Sequence, residues 1–87
     1  MERAVSKDRR QRHPHAVALG MRVAQARKAL RYGPFFLAHK AGVDIRCLRK
    51  IENGITLAQH LTIQKLAGAL EVDIDWLEVG VGRGPKV

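Results

Sequence analysis

Glycine, proline and asparagine residues interrupt the helical pattern of this sequence at short intervals. The breaks fall at Pro14, Gly33-Pro34, Gly42, Asn53-Gly54 and Gly80. Proline is tolerated in the first turn of a helix but not in its interior, and glycine readily adopts the left-handed backbone that ends a helix. Between the breaks, apolar residues recur at helical spacing, and no segment alternates as a strand does. The chain is therefore predicted to be all-α and to consist of several short helices.

Five helices are predicted, at about 15–31, 34–41, 45–52, 57–70 and 74–79. Asp44 and Asp73 suit the N-caps of the third and fifth helices, and Thr56 with Gln59 forms a capping-box pattern before the fourth. The predicted inner stripes are Val17, Val23 or Ala24, and Leu30 on the first helix, and Ile63, Leu66, Ala67 and Leu70 on the fourth. We divide the chain into a flexible basic arm (1–14), a helical domain (15–80) and a flexible tail (81–87).

Length and composition favour a single small domain inside the cell. A chain of 87 residues is too short for a second core or a deep enzymatic cleft. Cys47 is the single cysteine, which excludes an internal disulfide and suits a reducing compartment. The charged start, MERAVSKDRRQRHPH, is not typical of a signal peptide, and no apolar run approaches the roughly 20 residues of a membrane span. We expect a cytoplasmic protein that does not enter a membrane.

The net charge of +8 is unevenly distributed along the chain. Residues 16–50 carry eight basic side chains and one acidic side chain, a net charge of +7. Residues 51–80 carry one basic and five acidic side chains, a net charge of −4. A surface polarised in this way suits a polyanionic partner, although composition alone leaves a solvated basic surface equally open.

The segment AGVDIRCLRKIENG, residues 41–54, gives this charge a structural setting. At 100° per residue, Leu48, Ile51 and Cys47 share an arc of about 100° on the third helix, with Arg46 and Arg49 nearest the centre of the opposite arc. The preceding helix ends at Gly42, and the two inner residues Leu48 and Ile51 can hold the third helix against it. This arrangement is a helix-turn-helix, whose exposed second helix is the element that enters a DNA major groove.

The sequence resembles the Cro/phage-repressor helix-turn-helix family, also called the XRE family, over about residues 17–80. The matching pieces occur in the family's order and spacing: LA at 37–38, AGV at 41–43, Leu48, KIENG at 50–54, LAGALEV at 66–72 and DWLEVG at 75–80. The resemblance implies a compact five-helix lambda-repressor-like domain. It also implies double-stranded DNA as the partner. Enzymatic activity is not expected, because the sequence contains no nucleophile–base pair, phosphate-binding loop or paired carboxylates, and no cofactor is expected.

The resemblance assigns roles to individual residues on this fold. It implies base contacts by Ile45, Arg46, Arg49 and Lys50, phosphate contacts by Asn53, Gly54 and Thr56, and a structural ion pair between Arg27 and Glu52. The physical chemistry of the side chains agrees, because an arginine can donate two hydrogen bonds to guanine and an isoleucine can contact a thymine methyl group.

The start of the second helix departs from the family. Gly33-Pro34 stands where the family usually has a polar phosphate-binding pair, and proline has no N–H to donate. Phe35 and Phe36 follow where charged residues are usual. We expect one of the two phenylalanines in the core and the other exposed near DNA or a protein partner. The basic arm can compensate by reaching around the duplex, or it can be a passive tail.

Other chemistry has little support in the sequence. His13 and His15 could offer two nitrogens to a metal, but no third ligand is near in sequence, so no metal site is expected. Cys47 is expected to fill space rather than to sense oxidants. Trp76 is a candidate for a dimer interface, with a place in the core as the alternative.

These features together predict a sequence-specific transcription regulator. We expect a repressor or autoregulator that binds a palindromic operator as a homodimer, because one recognition helix reads only a few base pairs. A phage-type repressor, a restriction-modification controller and an antitoxin that represses its own operon all remain open. The alternative from another class is a protein-interaction adaptor or antitoxin that uses the same fold to bind a partner protein, with Phe35, Phe36 and Trp76 exposed together.

Overall fold

The computed structural model describes residues 13–85, which contain five α-helices and no strand. The helices are α1 (Pro14–Ala29), α2 (Pro34–Ala41), α3 (Ile45–Glu52), α4 (His60–Leu70) and α5 (Ile74–Val79). The predicted arm falls almost wholly outside the described residues, as do the last two residues of the predicted tail. No helix within residues 13–85 combines the length and the apolarity that crossing a membrane requires.

The predicted breaks set most helix boundaries. Pro34 occupies the first turn of α2, and Gly42 ends that helix in the left-handed conformation with φ 72°. Asp44 caps α3, since its side chain accepts a hydrogen bond from the backbone N–H of Arg46. These local predictions are confirmed because each depends on the backbone preference of one residue.

The predicted start of α4 is wrong. The helix begins at His60 rather than at 57, and its N-cap Gln59 makes no side-chain capping hydrogen bond. Residues 53–59 instead connect α3 to α4 without helical structure, and Ala58 packs partly against the core. An extended residue advances about 3.3 Å against 1.5 Å in a helix, so a helical turn here would shorten the connection.

The core is assembled from one face of each helix. Its largest fully buried side chains are Leu19, Val23, Leu37, Leu48, Ile51, Leu66, Leu70 and Leu77. On α1 the buried residues are Ala16, Leu19, Gly20, Val23 and Ala26, so Val23 rather than Ala24 faces inward. Val17 and Leu30 of the predicted stripe are only half-buried, and that part of the prediction is wrong. No polar or charged residue of the described part of the chain is fully buried.

Gly20 allows α1 to approach the end of α3 closely. A Cβ atom at this position would collide with the Ile51 carbonyl oxygen and lie 3.0 Å from the Glu52 carbonyl oxygen. Only glycine leaves room for such an approach between two backbones. The position of α3 on the domain therefore depends on this contact with α1.

The chain after α5 folds back on the start of that helix. The Asp73 backbone N–H donates to the Arg83 carbonyl oxygen at 3.0 Å, and the Asp73 carboxylate accepts from the Arg83 N–H at 2.8 Å. The Asp73 side chain thus makes no capping hydrogen bond to α5, contrary to its predicted role. Residues 81–85 of the predicted flexible tail lie in this described segment.

Candidate nucleic-acid interface

The face of α3 that points away from the core carries the basic residues. Leu48 and Ile51 are fully buried, which fixes the rotation of the helix about its axis. Arg46, Arg49 and Lys50 are exposed on the outer side. Ile45, the fourth predicted base-reading residue, is half-buried and packs partly against the core. The structure therefore brings three predicted base-reading cations together on one exposed surface, which we call the α3 basic face.

Arg46 forms an ion pair with Asp44, the N-cap residue of its own helix. Its Nε and Nη2 atoms lie 3.4 and 3.5 Å from the two carboxylate oxygens of Asp44, and its backbone N–H lies 2.7 Å from Oδ1. Hydrogen bonds from the Arg46 side chain and then from its backbone N–H lower the pKa of the Asp44 carboxyl below its ordinary value. The Arg46 side chain is 85% exposed, so it can leave this carboxylate for another acceptor.

Arg49 has a different kind of neighbour. Its guanidinium carbon lies 5.6 Å from the centroid of the Phe35 ring on α2, within the range of a cation–π interaction. Both phenylalanines are exposed, Phe35 by 65% and Phe36 by 52%, so the expectation that one of them is buried is wrong. The Phe36 ring instead meets the Tyr32 ring edge-on, with centroids 4.8 Å apart. The contact between Phe35 and Arg49 was not predicted from the sequence, whose only signal was two aromatic residues at positions where the family usually has charged ones.

The predicted phosphate contacts lie just beyond α3. The backbone N–H groups of Asn53, Gly54 and Ile55 already donate to carbonyl oxygens of the helix end, at 3.0 Å each. Gly54 is also buried. Of the three predicted phosphate-binding residues, Gly54 therefore has its N–H already bonded, whereas Asn53, which is exposed, and Thr56, which is half-buried, keep polar side chains that could bind phosphate oxygens.

The structure joins Arg27 of α1 to Glu52 of α3. Arg27 Nε and Nη2 donate to the two carboxylate oxygens of Glu52 at 2.7 and 3.0 Å, and Nη1 donates to the Tyr32 carbonyl oxygen at 3.0 Å. The two side chains are only 13% and 14% exposed. Bidentate pairing of this kind is geometrically specific as well as strong. It holds the end of α3 against α1, next to the close contact at Gly20.

The remaining predicted sites lie away from the α3 basic face or lack partners. Trp76 on α5 is half-buried, and its indole ring lies against Gly84. Cys47 is half-buried and packs partly against the core. His13 and His15 are exposed, and residues 13–85 contain no cluster of three or more side chains suited to bind a metal ion.

Comparisons with known proteins match this geometry. The helix-turn-helix family model matches residues 36–77, which run from α2 to α5. No curated protein sequence matches significantly. The restriction-modification controller protein C.AhdI from Aeromonas hydrophila is 28% identical with a TM-score of 0.72, covering 75% of this chain and 98% of that one.

Two further solved structures are similar. The N-terminal DNA-binding domain of SinR from Bacillus subtilis is 32% identical with a TM-score of 0.66, covering 68% of this chain and 87% of that one. The P22 c2 repressor, solved with a synthetic operator, is 25% identical with a TM-score of 0.68, covering 72% of this chain and 96% of that one. With these matches and the geometry of α2 and α3, the chain belongs to the Cro/phage-repressor (XRE) family of helix-turn-helix DNA-binding transcription regulators.

Proposed function

We propose that this protein regulates transcription by placing α3 in the major groove of a palindromic operator, which it binds as a homodimer. The observation that carries the proposal is the α3 basic face, formed by Arg46, Arg49 and Lys50 on a helix whose rotation Leu48 and Ile51 fix. An α-helix fits the major groove, and base edges there present patterns that arginine side chains can read. SinR and the P22 c2 repressor have both been solved with DNA, which supports the same partner here.

The homodimer is proposed on geometric grounds. A single recognition helix reads only a few base pairs, and two-fold symmetric proteins bind half-sites about one helical turn apart. We place the interface at the α5 end of the domain, where Trp76 is half-buried and Val79 and Val81 are 61% and 63% exposed. Within this function, repression or autoregulation is the role we propose.

The test begins with selection of bound duplexes from a random pool. The selected duplex should show two related half-sites, and sedimentation on it should show two protomers per duplex. Affinity should fall steeply with salt, because each neutralised phosphate contributes about −0.9 to the slope of log affinity against log salt concentration. Arg46→Ala should weaken the selected operator by about 1–3 kcal/mol.

A matched control comes from the acidic half of the chain. Lys65→Ala removes an exposed cation of α4 and should change operator affinity little. Joint replacement of Arg9, Arg10 and Arg12, which lie outside the described residues, should weaken all duplexes alike if the arm contacts only phosphate. Failure to enrich any sequence, or an affinity that does not respond to salt, would contradict the proposed function.

A second candidate function is an adaptor or antitoxin that binds another protein. Two of its three predicted markers favour it, since Phe35 and Phe36 are exposed at the start of α2, whereas Trp76 is only half-buried. One similar structure is a complex of SinR with SinI, so a domain of this fold can occur with a protein partner. Equal losses of specific and random-duplex affinity in Arg46→Ala and Arg49→Ala would move this candidate ahead of DNA recognition.

A further inference from the structure

We propose that Phe35 is a specificity-determining positioning residue, which orients the guanidinium of Arg49 toward a base pair of the operator. The inference rests on the proposed function and adds to it a residue of α2 that does not belong to the predicted DNA-contact set. Phe35 is the second residue of α2, and Arg49 lies near the middle of α3. The contact between them therefore crosses the two helices of the helix-turn-helix.

The geometry leaves Arg49 able to bind while restricting where it points. Its guanidinium carbon lies 5.6 Å from the Phe35 ring centroid. A guanidinium that stacks on an aromatic face keeps its N–H donors directed outward from its edge. Within residues 13–85 the Arg49 side chain makes no hydrogen bond or salt bridge, so no described residue occupies these donors. Support from one face reduces the freedom that the side chain loses on binding.

Arg46 shows the opposite arrangement on the same α3 basic face. Its donors face the Asp44 carboxylate at 3.4 and 3.5 Å, so a guanine acceptor has to compete with an anion. Arg49 has an apolar support instead of an acidic partner. Arg49 is therefore the arginine of this face that is better prepared for bidentate contact with guanine O6 and N7.

Phe35 is also exposed to solvent beside Arg49, so a duplex bound at the α3 basic face would cover its ring. Phe35 is 65% exposed although it belongs to a helix whose Leu37 and Ala38 are buried in the core. Phe36 is similarly exposed, by 52%, but among the described residues its ring pairs with Tyr32 and not with a cation. The adjacent phenylalanine therefore supplies a control of the same type, in the same helix, without the arginine contact.

The experiment measures the affinity of Phe35→Leu, Phe35→Tyr, Phe36→Leu and Arg49→Ala for three duplexes. These are the selected operator, the operator with single base pairs changed, and a random duplex. Phe35→Leu should weaken the operator by about 3- to 10-fold, as expected for loss of a partly desolvated cation–π contact, and should flatten the preference at one base pair per half-site. Random-duplex affinity should stay within about 2-fold, because the charge is unchanged.

The conservative variant and the double variant decide whether Phe35 acts through Arg49. Phe35→Tyr keeps the ring and should retain wild-type preference, and Phe36→Leu should leave preference unchanged. In an Arg49→Ala background, Phe35→Leu should have no further effect on the operator. Additive effects of the two substitutions, or equal losses from Phe35→Leu and Phe36→Leu on all duplexes, would overturn the inference.

Failure of this inference is distinguishable from failure of the proposed function. If the wild-type protein selects no duplex, the function fails before any variant is measured. If it selects an operator and the Phe35→Leu preference is intact, only the positioning role fails. Thermal melts accompany each variant, and Phe35→Met replaces Phe35→Leu if the latter does not fold.

Discussion

The close approach of α1 to α3 at Gly20 makes a sharp prediction about stability. Gly20→Ala adds one methyl group, which would collide with the Ile51 carbonyl oxygen and lie 3.0 Å from that of Glu52. Both neighbours are backbone atoms in the last turn of α3, so no side-chain rotation can relieve the contact. The two helices have to separate, and separation also strains the Arg27–Glu52 pair.

The expected change in the free energy of unfolding for Gly20→Ala is the difference between a steric cost and a gain in helix propensity. Inserting a methyl group into a packed contact costs about 1–3 kcal/mol, and we expect the upper end because both neighbours are backbone. Alanine in a helix interior is favoured over glycine by roughly 0.8–1.0 kcal/mol. The net loss should therefore be about 2 kcal/mol, which lowers the melting temperature by roughly 8–16 °C in a domain of this size.

Gly68 supplies the matched control. It lies in α4, is exposed, and a Cβ atom there would have no neighbour within 4 Å. Gly68→Ala should keep the propensity gain without the collision and raise stability by about 0.5–1 kcal/mol. Thermal melts followed by circular dichroism, with urea titrations for the free energy of unfolding, measure both variants. A Gly20→Ala protein that melts at or above the wild-type temperature would refute the close contact.

Three further predictions concern the Arg27–Glu52 ion pair, the N-cap Asp44 and the turn at Gly54. Glu52→Ala should lower the free energy of unfolding by about 3 kcal/mol, because it removes the carboxylate partner of Arg27, whose side chain is only 13% exposed in the intact pair. A loss below about 1 kcal/mol in urea titrations would contradict a structural role for the pair. The Asp44 carboxyl, whose pKa is lowered by hydrogen bonds from Arg46, should contribute stability above pH 3.8 that is lost as the pH falls through the lower folded value. An NMR titration should show that Arg46→Ala raises the pKa of Asp44. An unchanged pKa would show that the Arg46 side chain does not lower it. Gly54→Ala should cost about 1–2 kcal/mol in thermal melts, because residue 54 has a φ of 71°, and an unchanged melting temperature would exclude that conformation.

The candidate site was predictable where its determinants are local. Leu48 and Ile51 repeat at helical spacing, so their burial and the exposure of Arg46, Arg49 and Lys50 follow from one rotation of α3. The pairing of Arg27 with Glu52 was implied by family resemblance and not by periodicity, since the two residues are 25 positions apart.

The sequence by itself determined where helices break and which side of each helix is apolar. Those properties depend on one residue's backbone preference, as at Gly42 and Asp44, or on the period of a single helix. Only the tertiary structure decided the contact at Gly20, the placement of Phe35 under Arg49, and the start of α4 at His60. Each of these depends on the distance and angle between elements that are separate in the sequence. Such distances are set when all five helices pack together, and a local pattern carries no record of them.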